Sequence, residues 1–289
     1  MTVPALKHAN GFFSILELDY GMSWADQFAL DLTAESGVKS LGQLIEQLAT
    51  NLSPFASAVV LDSVYSYSAL AEKAGSCGLI LRLERPQPEV DPLALPQLVA
   101  NWGVEDIRQN YAAAKFELYY HPQEPHALEK KKIVAELHDY CRHVGIAFLL
   151  KLVIYDPAGG EYTVSSFQET QMVAVQEFAK FADVLLLQYP QDALACATIS
   201  AELDIPWIFT INDVTYETYK DALRVSLENG ASGYQVTEAI WKEATGLRRE
   251  DSSPDFGKIE DFIKTSARDR VIELERIAKE LVGHQTENT

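Results

Sequence analysis

Cysteine is scarce: Cys77, Cys141 and Cys196 are the only three, and no two stand in a CxxC or Cys/His metal spacing. That excludes a disulfide framework, argues against a zinc site and fits a reducing compartment. Positive charge is also short, with 24 Lys and Arg against 42 Asp and Glu, a net charge of −18. A chain of that sign repels phosphate backbones and anionic lipid, so no nucleic acid and no membrane surface is expected as a partner. Long apolar runs are missing, since none approaches the roughly 18 residues of a membrane span. The N-terminal "MTVPALKHANGFF" has no basic segment followed by an apolar one, so a cytoplasmic location is expected. Glycine-rich phosphate loops are missing as well. "PAGGEYT" (157–163) lacks GxGxxG or Walker spacing and reads as a loop that can serve as a lid. No low-complexity stretch or short-period repeat interrupts the chain.

What is present is alternation. Eight short apolar runs read as strands: "FFSILELD" (12–19), "SAVVLDS" (57–63), "GLILRLE" (78–84), "AAKFELYY" (113–120), "IAFLLKLVIY" (146–155), "DVLLLQY" (183–189), "PWIFTIN" (206–212) and "GYQVTEA" (233–239). Helix-like segments separate them, among them "LGQLIEQLA", "PLALPQLVANW", "ALEKKKIVAELHDYCRHV", "SSFQETQMVAVQEFAKFA", "ALACATISAELD" and "TYETYKDALRVSLENG". "SSFQ" suits a capping box, and the glycines of "VG" (144–145) and "NG" (229–230) suit helix ends. "EKKK" (129–132) reads as a solvated helix face, and "LRRED" as a surface charge cluster. Strands alternating with helices give an α/β fold with a parallel sheet, and eight is the number that closes a (β/α)8 TIM barrel. The expectation is a single TIM-barrel domain, 1–289, with a C-terminal helical extension at about 255–284.

Residues two apart on a strand share a face. That rule groups Ile15 with Glu17 and Asp19, Arg82 with Glu84, and Lys115 with Glu117 and Tyr119. It also groups Leu149 with Lys151, Val153 and Tyr155, and Leu186 with Gln188, while Asp62 and Asn212 end their strands. Turned outward, these charges would meet the apolar faces of the surrounding helices, so they turn inward and must pair. Glu17, Glu84 and Glu117 are the partners expected for Arg82, Lys115 and Lys151. A buried ion-pair network that only holds the barrel is one reading. An active site is the other, because the layer lies toward the strand C-termini, where barrel active sites lie.

A lysine in a dry pocket loses basicity through desolvation and neighbouring positive charge, and a neutral amine attacks a carbonyl to form a Schiff base. A carboxylate or tyrosine then moves the proton. Lys151 beside Lys115 fits this chemistry. Carboxylates alone could hold magnesium, but the inward lysines and Arg82 compete with a cation, so no metal and no cofactor are expected.

The pieces "GFFSILELD", "SAVVLDSVYSYSAL", "AAAKFELYYHP", "FLLKLVIYDP", "DVLLLQYP", "PWIFTINDVTYETYKDAL" and "AIWKEA", in this order and spacing, resemble class I aldolases of the tagatose-1,6-bisphosphate and sulfofructosephosphate aldolase type. The resemblance spans about residues 5–245. It implies a (β/α)8 barrel, a Schiff-base lysine, no metal, a homo-oligomer, and cleavage of a phosphorylated or sulfonated ketose. Asp19 and Asp62 match acidic positions of that family, and Lys115 matches a second active-site lysine. Three elements depart from it. Leu186 stands where the family has its Schiff-base lysine, and Lys151 stands where it has its acid/base glutamate. Thr237-Glu238 replaces a Gly-Arg pair that helps hold phosphate, and "TINDVT" replaces a Ser-Ala-Gly phosphate loop.

The function expected is therefore a divergent aldolase-like lyase acting on a small carbonyl compound other than a standard phosphosugar. Lys151 would form the imine and Lys115 would lower its pKa or polarise the carbonyl. Glu117, Asp19 or Asp62 would move protons, while Glu17, Arg82, Glu84, Tyr155, Gln188 and Asn212 would bind substrate. Two alternatives stand beside it. One is a pseudo-aldolase that binds a metabolite or a protein partner. The other is a non-imine barrel isomerase or metal-assisted lyase.

Overall fold

The computed structural model describes residues 1–86, 91–160 and 162–286. Eight parallel strands close into a barrel in sequence order. They are β1 (Phe13–Glu17), β2 (Ala58–Leu61), β3 (Gly78–Arg82), β4 (Ala113–Tyr120), β5 (Phe148–Ile154), β6 (Val184–Gln188), β7 (Trp207–Thr210) and β8 (Gly233–Val236). β1 pairs with both β2 and β8, which closes the ring. This is the single (β/α)8 barrel that the alternation predicts.

The helices follow the amphipathic segments. In chain order they are α1 (Gly21–Phe28), α2 (Glu35–Leu52), α3 (Val104–Gln109), α4 (Ala127–Val144), α5 (Val164–Phe178), α6 (Ala193–Glu202), α7 (Tyr216–Glu228), α8 (Phe256–Phe262) and α9 (Arg268–Thr286). A π-helical turn, Ile263–Ala267, joins α8 to α9. Side-chain caps start α5, α6, α7 and α8: Thr163, Asp192, Thr215 and Asp255 each accept an N–H from the first turn. Such a cap satisfies a donor that the helix cannot.

Two apolar regions lie on either side of the strands. Leu16, Val59, Leu81, Phe116, Leu150, Leu187 and Phe209 point outward into the helices. Phe13, Ile15, Val60, Ile80, Leu149, Val184, Leu186 and Ile208 point inward and fill the lower barrel. The upper interior is different, and its side chains are charged.

Several local expectations change. "PLALPQLVANW" is not helical: Pro92 and Pro96 interrupt it, and it runs back over the barrel mouth with Arg85 N–H bonded to Gln97 O and Leu98 bridged to Glu84. Proline removes an N–H and forces the preceding residue out of the helical region. "SSFQ" is not the cap of α5; Thr163, before it, is. "EKKK" is not wholly solvated. Lys130 is buried, with Nζ on Glu124 Oε2 at 2.6 Å and on the carbonyls of Pro92 and Tyr119 at 2.6 and 2.9 Å. Arg248 of "LRRED" ties the chain after β8 to the carbonyls of Gln27 and Phe28 in α1. In the loop after β5, the Tyr162 hydroxyl bonds Tyr155 O, while Glu161 lies outside the described residues. No helix of the described residues is long and apolar enough to cross a membrane.

Candidate active site

Above the apolar layers, β1, β3, β4 and β5 each turn a charged side chain into the barrel. Register decides who meets whom: Arg82 stands beside Lys115, Glu117 beside Lys151, and Lys151 beside Leu186. Lys115 donates to Glu17 Oε1 and to Asp19 Oδ2, both at 2.8 Å. Lys151 donates to the same Glu17 oxygen at 3.0 Å and stands 3.2 Å from Glu117 Oε2. Arg82 lies 2.6 Å from Glu84 Oε1, 3.6 Å from Asp19 Oδ2 and 3.7 Å from Glu117 Oε1. The pairings expected from alternation are therefore made.

At the centre is a residue that the strand pattern did not reveal. Tyr20 follows β1 and immediately precedes α1. Lys151 donates to its hydroxyl at 2.6 Å, and that hydroxyl donates to Glu117. Lys151 Nζ, Lys115 Nζ and the Arg82 guanidinium stand 4.9, 5.2 and 5.5 Å from the centre of its ring. Alternation ends with the strand, so only its place directly after Asp19 could have suggested it. Gln235 was also missed, although the pattern of β8 carried the signal: it shares a face with Gly233 and Thr237. Its amide donates to Glu17 Oε1 at 2.5 Å.

Burial and charge compete at each group. Burial would lower the Lys115 pKa, but Asp19, Glu17 and Glu117 outweigh it and hold it above the usual lysine value. Lys115 is thus a fixed positive charge beside Lys151. Burial would raise the Glu117 pKa, but Lys151, Arg82 and Lys115 outweigh it and keep the carboxylate ionised. Burial raises the Tyr20 hydroxyl well above its ordinary value, and Glu117 adds to the effect. Glu84 shows burial winning: its pKa is pushed up to about 7 against the pull of Arg82. Although Glu84 Oε1 is close to Arg82 Nε, neither atom has an aligned hydrogen bond.

Some expected site residues stand elsewhere. Asp62 turns into its own loop, accepting the N–H groups of Val64 and Tyr65 at 2.7 and 2.6 Å and the Ser66 hydroxyl at 2.9 Å. The Tyr155 hydroxyl bonds Glu124 and so joins the Lys130 pair, away from Lys151. Gln188 and Asn212 are where the pattern placed them, on the wall of a cavity of about 630 Å³ over β5, β6 and β7. Lys151, Glu117 and Tyr20 also line that cavity; Lys115 lies beneath and does not. The Thr210 hydroxyl on this wall is buried without a partner. Among the described residues no group of three His, Cys, Asp or Glu side chains stands ready to hold a metal ion.

The architecture defines a (β/α)8 barrel with an ionised mouth at the strand C-termini. The DeoC/LacD family aldolase pattern matches residues 13–243, and the chain belongs to that family. Tagatose 1,6-diphosphate aldolase 2 of Enterococcus faecalis is 26% identical, with 94% of this chain and 91% of that protein covered. Tagatose 1,6-diphosphate aldolase of Staphylococcus aureus is 22% identical, with 96% and 94% covered. Among solved structures, an archaeal fructose 1,6-bisphosphate aldolase superposes with a TM-score of 0.63 at 17% identity over 96% of both chains. A Schiff-base-forming fructose-1,6-bisphosphate aldolase gives 0.61 at 19%, over 91% of this chain and 95% of that one. At these identities the two structures speak for the fold.

Proposed function

We propose that the chain is an aldolase-type lyase in which Lys151 forms an imine with a small carbonyl substrate. The observation that carries this reading is that Lys151 lines the large cavity and bonds the Tyr20 hydroxyl, which in turn bonds Glu117. A proton leaving Lys151 has a path through Tyr20 to Glu117. The neutral amine then attacks the carbonyl carbon, and the carbonyl oxygen leaves as water. The iminium accepts the electron pair of the neighbouring carbon–carbon bond, while the β-hydroxyl gives up its proton through the same relay and becomes an aldehyde. Protonation of the enamine and return of water release the second fragment. Lys115 contributes fixed positive charge beside the reacting nitrogen. Gln188, Asn212 and the unpartnered Thr210 hydroxyl are suited to hold substrate hydroxyls. The cofactor-free chemistry, the cytoplasmic location and a homo-oligomeric state belong to the same proposal.

Borohydride trapping with a ketose and keto-acid panel, followed by peptide mapping, tests it. The expected adduct lies on Lys151 and disappears in Lys151→Met. Absence of an adduct on every lysine overturns the imine. One observation favours a second reading, a binding protein without turnover: Leu186, beside Lys151, belongs to the apolar layer and cannot form an imine. Ligand binding that survives Lys151→Met, with no product from either protein, would select that reading.

A further inference from the structure

The mouth has a second compartment of about 140 Å³ between the ends of β1, β7 and β8. Tyr20 lines both compartments, and Glu17, bonded to Lys151, lines this one. Loops after the seventh and eighth strands of such barrels frequently hold phosphate. Here the chain supplies its own anion. Asp213, at a left-handed φ of 57° in the β7 loop, gives its N–H to Glu238 Oε1 at 2.7 Å. A phosphate oxygen seeking that donor would meet a carboxylate already in place. No Lys or Arg lines the compartment, while Glu17, Asp213 and Glu238 do. Lys115 and Lys151 pair with Glu17 and Lys242 Nζ stands 3.5 Å from Asp213 Oδ1, so Glu238 is the carboxylate of the three with no ion pair among the described residues.

Independent of those carboxylates, two polar atoms of wall residues have no partner. One is the indole N–H of Trp241, a residue only 2% exposed; the other is Gln27 Oε1. Burying a donor without an acceptor costs about 1–3 kcal/mol, so such an atom marks a place where a ligand restores a bond. Glu17 takes its hydrogen bonds from Lys115, Lys151 and Gln235 on Oε1 alone, leaving Oε2 as an acceptor. The wall thus offers mainly acceptors, one buried N–H, and the aromatic rings of Tyr20 and Trp24. A phosphate ester brings only acceptors and negative charge to this wall. Hydroxyls, or an ammonium group, bring donors and no negative charge.

We propose that this compartment is a subsite for an unphosphorylated, hydrogen-bond-donating end of the substrate, the hydroxyls or the ammonium of a polyol or amino-polyol. It deepens the reading above by naming a substrate class and rests on it for the identification of the neighbouring Lys151 site. The subsite itself is tested with molecules that cannot form an imine. D-sorbitol, 1-amino-1-deoxy-D-sorbitol and D-sorbitol 1-phosphate differ only at C1 and carry no carbonyl. Their binding is measured by calorimetry or ligand-observed NMR on the wild type, Glu238→Gln and Trp241→Phe, with thermal melts to confirm folding.

Glutamine keeps an acceptor for the Asp213 N–H and removes the charge. The phosphate should bind at least about ten-fold more weakly than sorbitol, and Glu238→Gln should narrow that gap. Trp241→Phe should weaken sorbitol. An amine that binds more tightly than sorbitol identifies an ammonium subsite, and equal binding a hydroxyl subsite. A phosphate that binds as well as sorbitol overturns the proposal. So does an unchanged order in Glu238→Gln, or no binding of any probe at about 50 mM, beyond the millimolar range of weak ligands. Failed borohydride trapping leaves this result untouched, and failed polyol binding leaves the trapping result untouched.

Discussion

Single side chains decide the chemistry at the mouth. A buried charge is tolerated when partners surround it, and Lys115 and Lys151 both lean on one oxygen of Glu17. Glu84 is the group least compensated, and it yields a pH signature. Its folded pKa is raised from 4.5 to about 7 by burial, which Arg82 and Lys115 only partly oppose. The folded state therefore holds this proton more tightly than the unfolded chain does. The stabilisation is fully present below 4.5 and is lost as pH rises through about 7. Urea unfolding of wild type and Glu84→Gln across that window should show wild-type stability falling with pH relative to the variant. A difference between the two that does not change with pH would refute the shift. Alternation alone places Glu17, Arg82, Lys115, Glu117 and Lys151 in the interior. It could not place Tyr20, which leaves the strand before it turns back over the mouth.

Elements carry these residues to their places. The segment 91–99 returns to the mouth without a helix, pinned by Lys130 of α4. Lys130 satisfies two carbonyls and the Glu124 carboxylate, whose Oε2 also accepts the Tyr155 hydroxyl. Lys130→Met leaves Glu124 buried without its cation. The variant should lose about 3–5 kcal/mol of stability in urea unfolding. Amide exchange around Leu93–Gln97 should accelerate. Adding Glu124→Gln should recover part of the stability; no recovery would mean that the loss is one of packing. Helical spacing alone made this lysine look solvated. Three consecutive lysines on a helix point in different directions, and only the neighbouring strand and loop reveal which one is covered.

At the scale of the whole molecule, the barrel exists because its first and last strands meet. The seam is tight: a Cβ built on Gly233 would stand 2.2 Å from Phe13 O and 2.7 Å from Phe13 N. Both are backbone atoms of the pairing partner across the seam, so neither can rotate away. Gly233→Ala should therefore cost about 3 kcal/mol or more, at the upper end of overpacking penalties. Chemical denaturation would show it, and near-wild-type stability would mean that the seam has slack.

Sequence by itself determined the number and order of strands, the parallel barrel, the family, and the inward direction of the charged residues. The family follows from the resemblance of its segments, and the rest from local periodicity and composition. Only tertiary structure decided which charges share an oxygen, that Tyr20 bridges Lys151 and Glu117, and that Glu238 occupies the Asp213 N–H. It also decided that Lys151, and not Lys115, reaches the large cavity. These are contacts between strands far apart in the chain. They depend on register and loop path across a closed ring, which no window of sequence contains.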